Sequence, residues 1–533
     1  MQTPSIKRSL FLLSFLFTGV LVAQDKPLGN ETVIVVKPYT PSVNDAFKIK
    51  ETPVLGDSVS LEKKPIKYSI FSVPVASTFT PSKGRATKVE KDKRIKLYDN
   101  YITLGFGTYS NVLAEFYSNL EISKSDNFGV YLTHNSSQGG IEDVRLDDKF
   151  YDTELNLNYS SRNKKSSWNT ELGLQHQLFN WYGLPEQTRL TNELITAIDP
   201  QQNYFSGSLG GELELYDSFL NKASANYRYF GDSYDSAEHN FKADGAFEVN
   251  IADELINTKV FADVLSGKFD KGFNDPNELN YSQMIFGITP SLLILRDDLT
   301  LNLGASFVYG LDTENSDNSF YIYPQVTASY RLAGDYFIPY AGLEGSLSQN
   351  TYYSFAQENP YVSPTLNIAP TDKSYDAYFG AKGKLTNSIG YNLKGGYASE
   401  INRALYLANL SNTSSTEDYA YGNSFGVVYD DINTLSFSGE INVDVNRDFK
   451  LGLNGSFFSY NSEFEAEAWN LPEMKASLLM DYQITEKWFA GANLFYTGER
   501  KDREETINMI GGLESRTITL DGFTDLNVNL GYR

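Results

Sequence analysis

The sequence predicts an all-β protein, a transmembrane antiparallel β-barrel of about 22 strands preceded by an extended N-terminal segment. Three observations predict it. From Leu97 onward apolar and polar residues alternate with a period of two, so each segment has one apolar and one polar face. These segments run about ten residues or more, the length of tilted membrane strands, whereas ordinary strands average about five or six. The joins between them are short and long by turns, as tight periplasmic turns and long outer loops require.

The chain opens as an export signal, residues 1–23. Lys7 and Arg8 are its positive region, "SLFLLSFLFTGVLVA" (9–23) its apolar core, and Ala23 its cleavage residue. The core is shorter than the roughly 20 apolar residues of a membrane-spanning helix. No long apolar run follows. That leaves an exported soluble protein or a chain that crosses a membrane with strands.

Residues 24–97 differ from the rest in charge. They hold 14 Lys and Arg against 8 Asp and Glu, a net of +6, whereas residues 98–533 carry −30. Stretches such as "VKPYTPSVNDAFKIKETP" and "FTPSKGRATKVEKDKRIK" are rich in Pro and Lys without a sustained period. They read as an extended segment, periplasmic or luminal.

Residues 98–533 carry the barrel pattern. In "LSFSGEINVDVN", Leu435, Phe437, Gly439, Ile441, Val443 and Val445 share one face, and Ser436, Ser438, Glu440, Asn442, Asp444 and Asn446 the other. "YDTELNLNYS" (151–160) and the closing "TDLNVNLGYR" repeat it. The 37 Tyr and 34 Phe recur near segment ends, where membrane barrels place their aromatic girdles. Short joins are expected at 123–126, 161–165, 296–298, 386–388, 446–448 and 485–487. Long ones are expected at about 137–148, 178–202, 269–278, 311–318, 348–374, 460–470 and 498–518. Two joins break the alternation: the one near Ser110 is short where it should be external, and 411–418 is longish where it should be internal.

Inward carboxylates, among them Glu154, Glu212, Glu214, Glu440 and Asp444, would make the lumen acidic and attract the basic 24–97 segment. That segment would then serve as a substitute plug in a lumen of this width. The acidic runs "EDVRLDD" (142–148) and "LDTENSDNS" (311–319) fall in expected outer loops. They are either solvated surface or a contact for divalent cations and lipopolysaccharide. The four aromatics of 348–374 make that loop either an external contact surface or a packing element over the barrel mouth.

Little in the chain points to catalysis, and no cofactor or metal is expected. With no Cys there are no disulfides or thiolate sites. His134, His176 and His239 lack metal-ligand spacing. "GNSFG" (422–426) matches the G-x-S-x-G pattern, but that elbow needs a strand-turn-helix context, and Ser424 is expected inside an alternating strand. No phosphate loop is present, and the net charge of −22 argues against nucleic acid as a partner.

Four stretches carry a family likeness: "NPYVSPTLNIAPTDKSYDAYFGAKGKL" (359–385), "FGVVYDDINTLSFSGEINVDV" (425–445), "LPEMKASLLMDYQITEKWFAGANLFYTGER" (471–500) and "GFTDLNVNLGYR" (522–533). In these the chain resembles the barrel of TonB-dependent receptors of the Bacteroidetes type. The resemblance implies an outer-membrane receptor or transporter. It also gives meaning to "ETVIVV": Glu31, Thr32, Val33, Ile34, Val35 and Val36 look like a TonB box, a segment that pairs as a strand with the TonB periplasmic domain. The chain departs from the family in one large respect. Only 61 residues separate this box from the first strand, with no globular pattern, where the family has a plug domain of well over a hundred residues. The final Arg533 also stands where the family ends on an aromatic.

Three functions remain open on this reading: an outer-membrane transport receptor of unknown solute, an accessory or scaffold subunit of an envelope complex, and a passive channel. Its partners would be outer-membrane lipid and lipopolysaccharide, the TonB domain, and other envelope proteins.

Overall fold

A computed structural model describes residues 98–185, 190–251, 254–412, 414–507 and 513–533. The chain separates into two units, one of which holds Asn100–Arg533; the other is Val35–Asp99. The following concerns the first. The signal, the 24–97 segment and the box at 31–36 lie outside the described residues.

The strands are β1 (Asn100–Phe106), β2 (Val112–Glu121), β3 (Asp126–Ser137), β4 (Phe150–Arg162), β5 (Ser166–Asn180), β6 (Gln201–Leu215), β7 (Leu220–Asp232) and β8 (Ala237–Ile251). Next come β9 (Glu254–Phe269), β10 (Leu279–Arg296), β11 (Leu299–Asp312), β12 (Asp317–Tyr330), β13 (Leu332–Asp335), β14 (Ile338–Ser348), β15 (Thr371–Thr386) and β16 (Ile389–Ala408). The last are β17 (Phe425–Asn446), β18 (Phe449–Ser462), β19 (Met474–Gln483), β20 (Trp488–Thr497), β21 (Arg500–Ile507), β22 (Leu513–Leu520) and β23 (Phe523–Tyr532). Two short helices lie in joins, α1 (Asn192–Ala197) and α2 (Tyr352–Glu358).

Twenty strands form one sheet, each antiparallel to its neighbour, with β20 paired directly to β23. β21 and β22 form a separate hairpin, and β13 belongs to neither ladder. The expected total of about 22 is thus divided between a sheet of 20 and a hairpin of two. That hairpin occupies the join expected at 498–518.

The alternation sets the faces. On β17, Leu435, Phe437, Ile441 and Val445 are exposed, and on β5 so are Trp168, Leu172 and Leu174. A soluble sandwich would bury such rows against a second sheet. Here they form an outer apolar surface suited to lipid, where the ladder satisfies every strand interior. Glu154, Glu212, Glu214, Glu440 and Asp444 lie opposite the apolar rows of their own strands. They are held by polar neighbours: Asn156 donates to Glu154 at 2.7 Å, Ser167 to Glu214 at 3.0 Å, and Lys222 bridges to Glu212 at 2.7 Å.

The sheet is strongly curled. Side chains of β5, β6, β10, β16 and β17 all bond one loop, 349–370. In a flat sheet β5 and β17 would stand about 50 Å apart at the usual strand spacing. Among the described residues no pairing joins β23 back to β1. Both edges nevertheless keep the wall's pattern. β1 turns Ile102, Leu104 and Phe106 to the outer face, and β23 turns Leu526, Val528 and Leu530.

The tight turns fall where expected, at 122–125, 163–165, 297–298, 387–388, 447–448 and 484–487. Asp297 shows what such a turn demands, with φ at 46°, a left-handed conformation that Asp and Asn tolerate better than most residues. The stretch expected to be internal, 411–418, lies instead at the end of the sheet that carries 349–370. A single 22-residue strand, β17, returns the chain from there.

Candidate functional site: a lid across one mouth of the sheet

Among the described residues, the joins at the long-loop end hold many of the deepest side chains. Their centre is 349–370, between β14 and β15. Its helix α2 starts at Thr351, whose hydroxyl accepts the Ser354 N–H while the Ser354 hydroxyl accepts the Thr351 N–H. This capping box satisfies two of the helix's free donors. Tyr352, Phe355 and Ala356, at helical spacing, form its buried face. They pack with Val362, Leu366 and Ile368 of the same loop against Tyr204, Phe230, Leu265, Phe269 and Tyr281. The Tyr352 ring meets Phe269 edge-on at 4.9 Å and Phe230 at 5.0 Å.

Two carboxylates of the wall hold the helix from below. Glu238, at the start of β8, is 1% exposed. It accepts the backbone N–H of Tyr352 at 2.6 Å, that of Tyr353 at 3.2 Å, and the Tyr281 hydroxyl at 3.0 Å. A buried carboxylate is tolerated only when its oxygens are occupied in this way. The two N–H groups are further free donors of α2, so Glu238 also lies at the positive end of the helix dipole. Asp232, at the end of β7, accepts the Tyr352 hydroxyl at 2.7 Å and the N–H groups of Tyr234 and Ser236 at 2.9 and 3.0 Å. Burial, with the Asp232 carboxylate beside it, pushes the Tyr352 hydroxyl well above the ordinary tyrosine range. Arg228 stacks on the Tyr353 ring at 3.8 Å, adding a cation–π contact.

The far side of the lid is fixed equally well. Tyr406 on β16 donates to Glu358 at 3.0 Å. Tyr429 on β17 donates to the Asn367 carbonyl at 3.0 Å and accepts the Ala369 N–H at 3.0 Å. Ser363 N–H donates to the Phe425 carbonyl at 2.8 Å, and Phe425 N–H to the Tyr361 carbonyl at 3.0 Å.

Neighbouring loops lock over it. Trp181, Tyr234 and Tyr419 meet tilted or edge-on with centroids 5.4 to 5.7 Å apart. Asn423 donates to the carbonyls of Trp181 and Asp418 at 3.2 and 2.9 Å. Lys271 bridges to Glu417 at 3.0 Å. Gly422 has φ +81° and an added Cβ would lie 2.8 Å from Pro185, so only glycine suits this crossing of two loops.

The structure decides between the two uses foreseen for 348–374. Tyr352, Phe355 and Val362 are buried, so the loop packs over the mouth instead of presenting its aromatics outward. Ser424 is not inside a strand, as its alternating surroundings suggested. It ends the 409–424 loop just before β17 and is 1% exposed. Its hydroxyl donates to the Tyr419 carbonyl at 2.7 Å and accepts Asn409 Nδ2 at 2.9 Å. A strand, not a helix, follows it, so the nucleophile-elbow geometry is absent. The histidines serve separate strand contacts: His134 bonds Thr153 and Ser136, and His239 bonds Tyr227. Among the described residues no three His, Cys, Asp or Glu converge as a metal site. Glu238 and Asp232 were not foreseen, because alternation marks the inward face without marking depth.

No protein-family model and no curated protein matches the chain. Solved structures match in fold. The siderophore receptor PirA from Acinetobacter baumannii superposes with a TM-score of 0.57 at 11% identity, over 81% of this chain and 73% of PirA. FpvA of P. aeruginosa, solved with heterologous pyoverdines, gives 0.55 at 12% identity, over 81% of this chain and 65% of FpvA. A ferric enterobactin receptor of Pseudomonas aeruginosa, PfeA, gives 0.55 at 12%, over 81% and 71%. The chain thus spans under two thirds of the FpvA chain. At these identities the likeness is one of fold, and the chain has a TonB-dependent-receptor-like β-barrel fold.

Proposed function

We propose that the chain is an outer-membrane transport receptor of a Gram-negative cell, exported by its signal and shut at its outer mouth by its own loop. The lid 349–370 carries this reading. A passive channel needs an open path, whereas this loop is fixed to strands from β5 to β17 by an apolar core and buried carboxylates. A closed barrel that moves solute needs an energy input. The 31–36 box supplies it by strand addition to a TonB periplasmic domain, without a standard plug domain. The fold shared with siderophore and enterobactin receptors supports the reading. The solute is left unassigned, and the chain is not an enzyme in this reading. Outer-membrane lipid meets the apolar rows, and lipopolysaccharide the acidic outer loops.

A pull-down of the mature protein with a TonB periplasmic domain tests the energised reading. Binding is expected for the wild type and is expected to vanish in Ile34→Pro, because proline removes a ladder donor. Equal capture of both proteins, or of neither, would contradict it.

One observation favours a second reading, an accessory subunit of an envelope complex. The edges of β1 and β23 are unpaired among the described residues, and lipid cannot satisfy an open sheet edge. A neighbouring protein's strand would. Stable co-purification of one envelope protein, lost when β23 edge residues are changed to proline, would favour that role.

A further inference from the structure

A cavity of about 470 Å³ opens on the polar face of β7 to β12 and β14, within the size range of small-molecule sites. Its lining has two parts. Phe261, Val308 and Leu347 form an apolar shelf that continues into Ile285 and Tyr323. Asp244 and Lys259 supply opposite charges. They are diagonal neighbours in the ladder: Ala246 faces Lys259, and Asp244 faces Phe261. Such a pair is close enough to interact.

They do not form an ion pair. The nearby inward lysines are occupied: Lys222 bridges to Glu212 at 2.7 Å and Lys242 to Asp263 at 3.2 Å. Among the described residues Lys259 has no carboxylate partner, and its cross-strand neighbours Ala246 and Thr289 cannot supply one. Asp244 accepts, among the described residues, only the Ser224 hydroxyl, at 3.4 Å. The Thr289 and Ser306 hydroxyls satisfy each other at 2.7 Å. Among the described residues the cavity therefore presents one ammonium and one carboxylate without an ion-pair partner, beside one apolar shelf.

We propose that this cavity binds a small zwitterion with an apolar body, such as a short apolar peptide, its carboxylate on Lys259 and its ammonium on Asp244. A simple anion would meet Asp244 and a simple cation would meet Lys259, so each is disfavoured by one of the two charges. The proposal deepens the transport reading and rests on the lumen being the solute path. Binding is an equilibrium property, however, so its failure is distinguishable from failure of TonB capture.

The test is calorimetry on the full mature protein in nanodiscs, with leucyl-phenylalanine as probe. Its N-acetyl form and its N-acetyl amide remove one charge and both charges. Saturable binding is expected for the free dipeptide, with the doubly blocked form at least about tenfold weaker, the scale of one charge-assisted hydrogen bond. Lys259→Met and Asp244→Asn should each weaken the free dipeptide about tenfold. In Asp244→Asn the free and N-acetylated forms should bind alike, which a structural effect of the substitution would not produce. Both side chains are exposed to the lumen, and unchanged melting curves would show that the variants fold. The proposal is overturned if no probe binds saturably, if the doubly blocked form binds as tightly as the free one, or if either variant keeps wild-type affinity.

Discussion

Glu238→Ala is expected to release the lid while leaving the barrel wall folded. The change strands the N–H groups of Tyr352 and Tyr353 and the Tyr281 hydroxyl, all of which this carboxylate accepts. Each buried donor left without a partner costs about 1–3 kcal/mol, so the closed lid should lose upwards of about 3 kcal/mol. The wall should survive, because its ladder does not depend on this side chain. Protease cleavage within 349–370 and faster amide exchange at Tyr352 and Tyr353 would report the release. Glu238→Gln keeps one carbonyl acceptor and should release the lid less. Equal protection in wild type and Glu238→Ala would mean that Glu238 does not hold the lid.

Tyr352→Ala is expected to act by a different route. The ring is fully buried between Phe230 and Phe269, and removing a buried aromatic costs about 3–5 kcal/mol. The hydroxyl's loss also takes a donor from Asp232. Tyr352→Phe, which keeps the ring, separates the two contributions and should cost about 1–2 kcal/mol. Because Glu238 and Tyr352 act on one helix, the double variant should fall short of the sum of the single effects. Additive losses would indicate two independent attachments.

How much of this could be read in the sequence follows from what alternation reports. It reports which way a side chain points. That suffices for the outer apolar rows, the inward Glu154 and Glu440, and the tight turns such as 297–298 and 447–448. It does not report how far a strand continues past the membrane. β17 runs on for 22 residues, and the join expected to be a long loop at about 498–518 holds most of the β21–β22 hairpin. The hairpin reads as a loop because its first strand, Arg500–Ile507, carries polar residues on both sides.

The lid was harder still. Its aromatics at 352, 353 and 355 are visible in the sequence, but their partners Tyr204, Phe230 and Tyr281 lie on distant strands. Only the curl of the sheet brings them together. Glu238 looks no different in sequence from the solvated inward carboxylates. Its depth is set by the loop that closes over it, more than a hundred residues later.

In the proposed receptor the loop 349–370 closes the barrel. Single-channel conductance in planar bilayers would decide this, comparing the mature protein with a variant in which residues 350–369 are replaced by a short Gly-Ser linker. The wild type should be silent, and the variant should show stable ion-conducting openings. Equal conductance in the two, whether both open or both silent, would contradict closure by this loop.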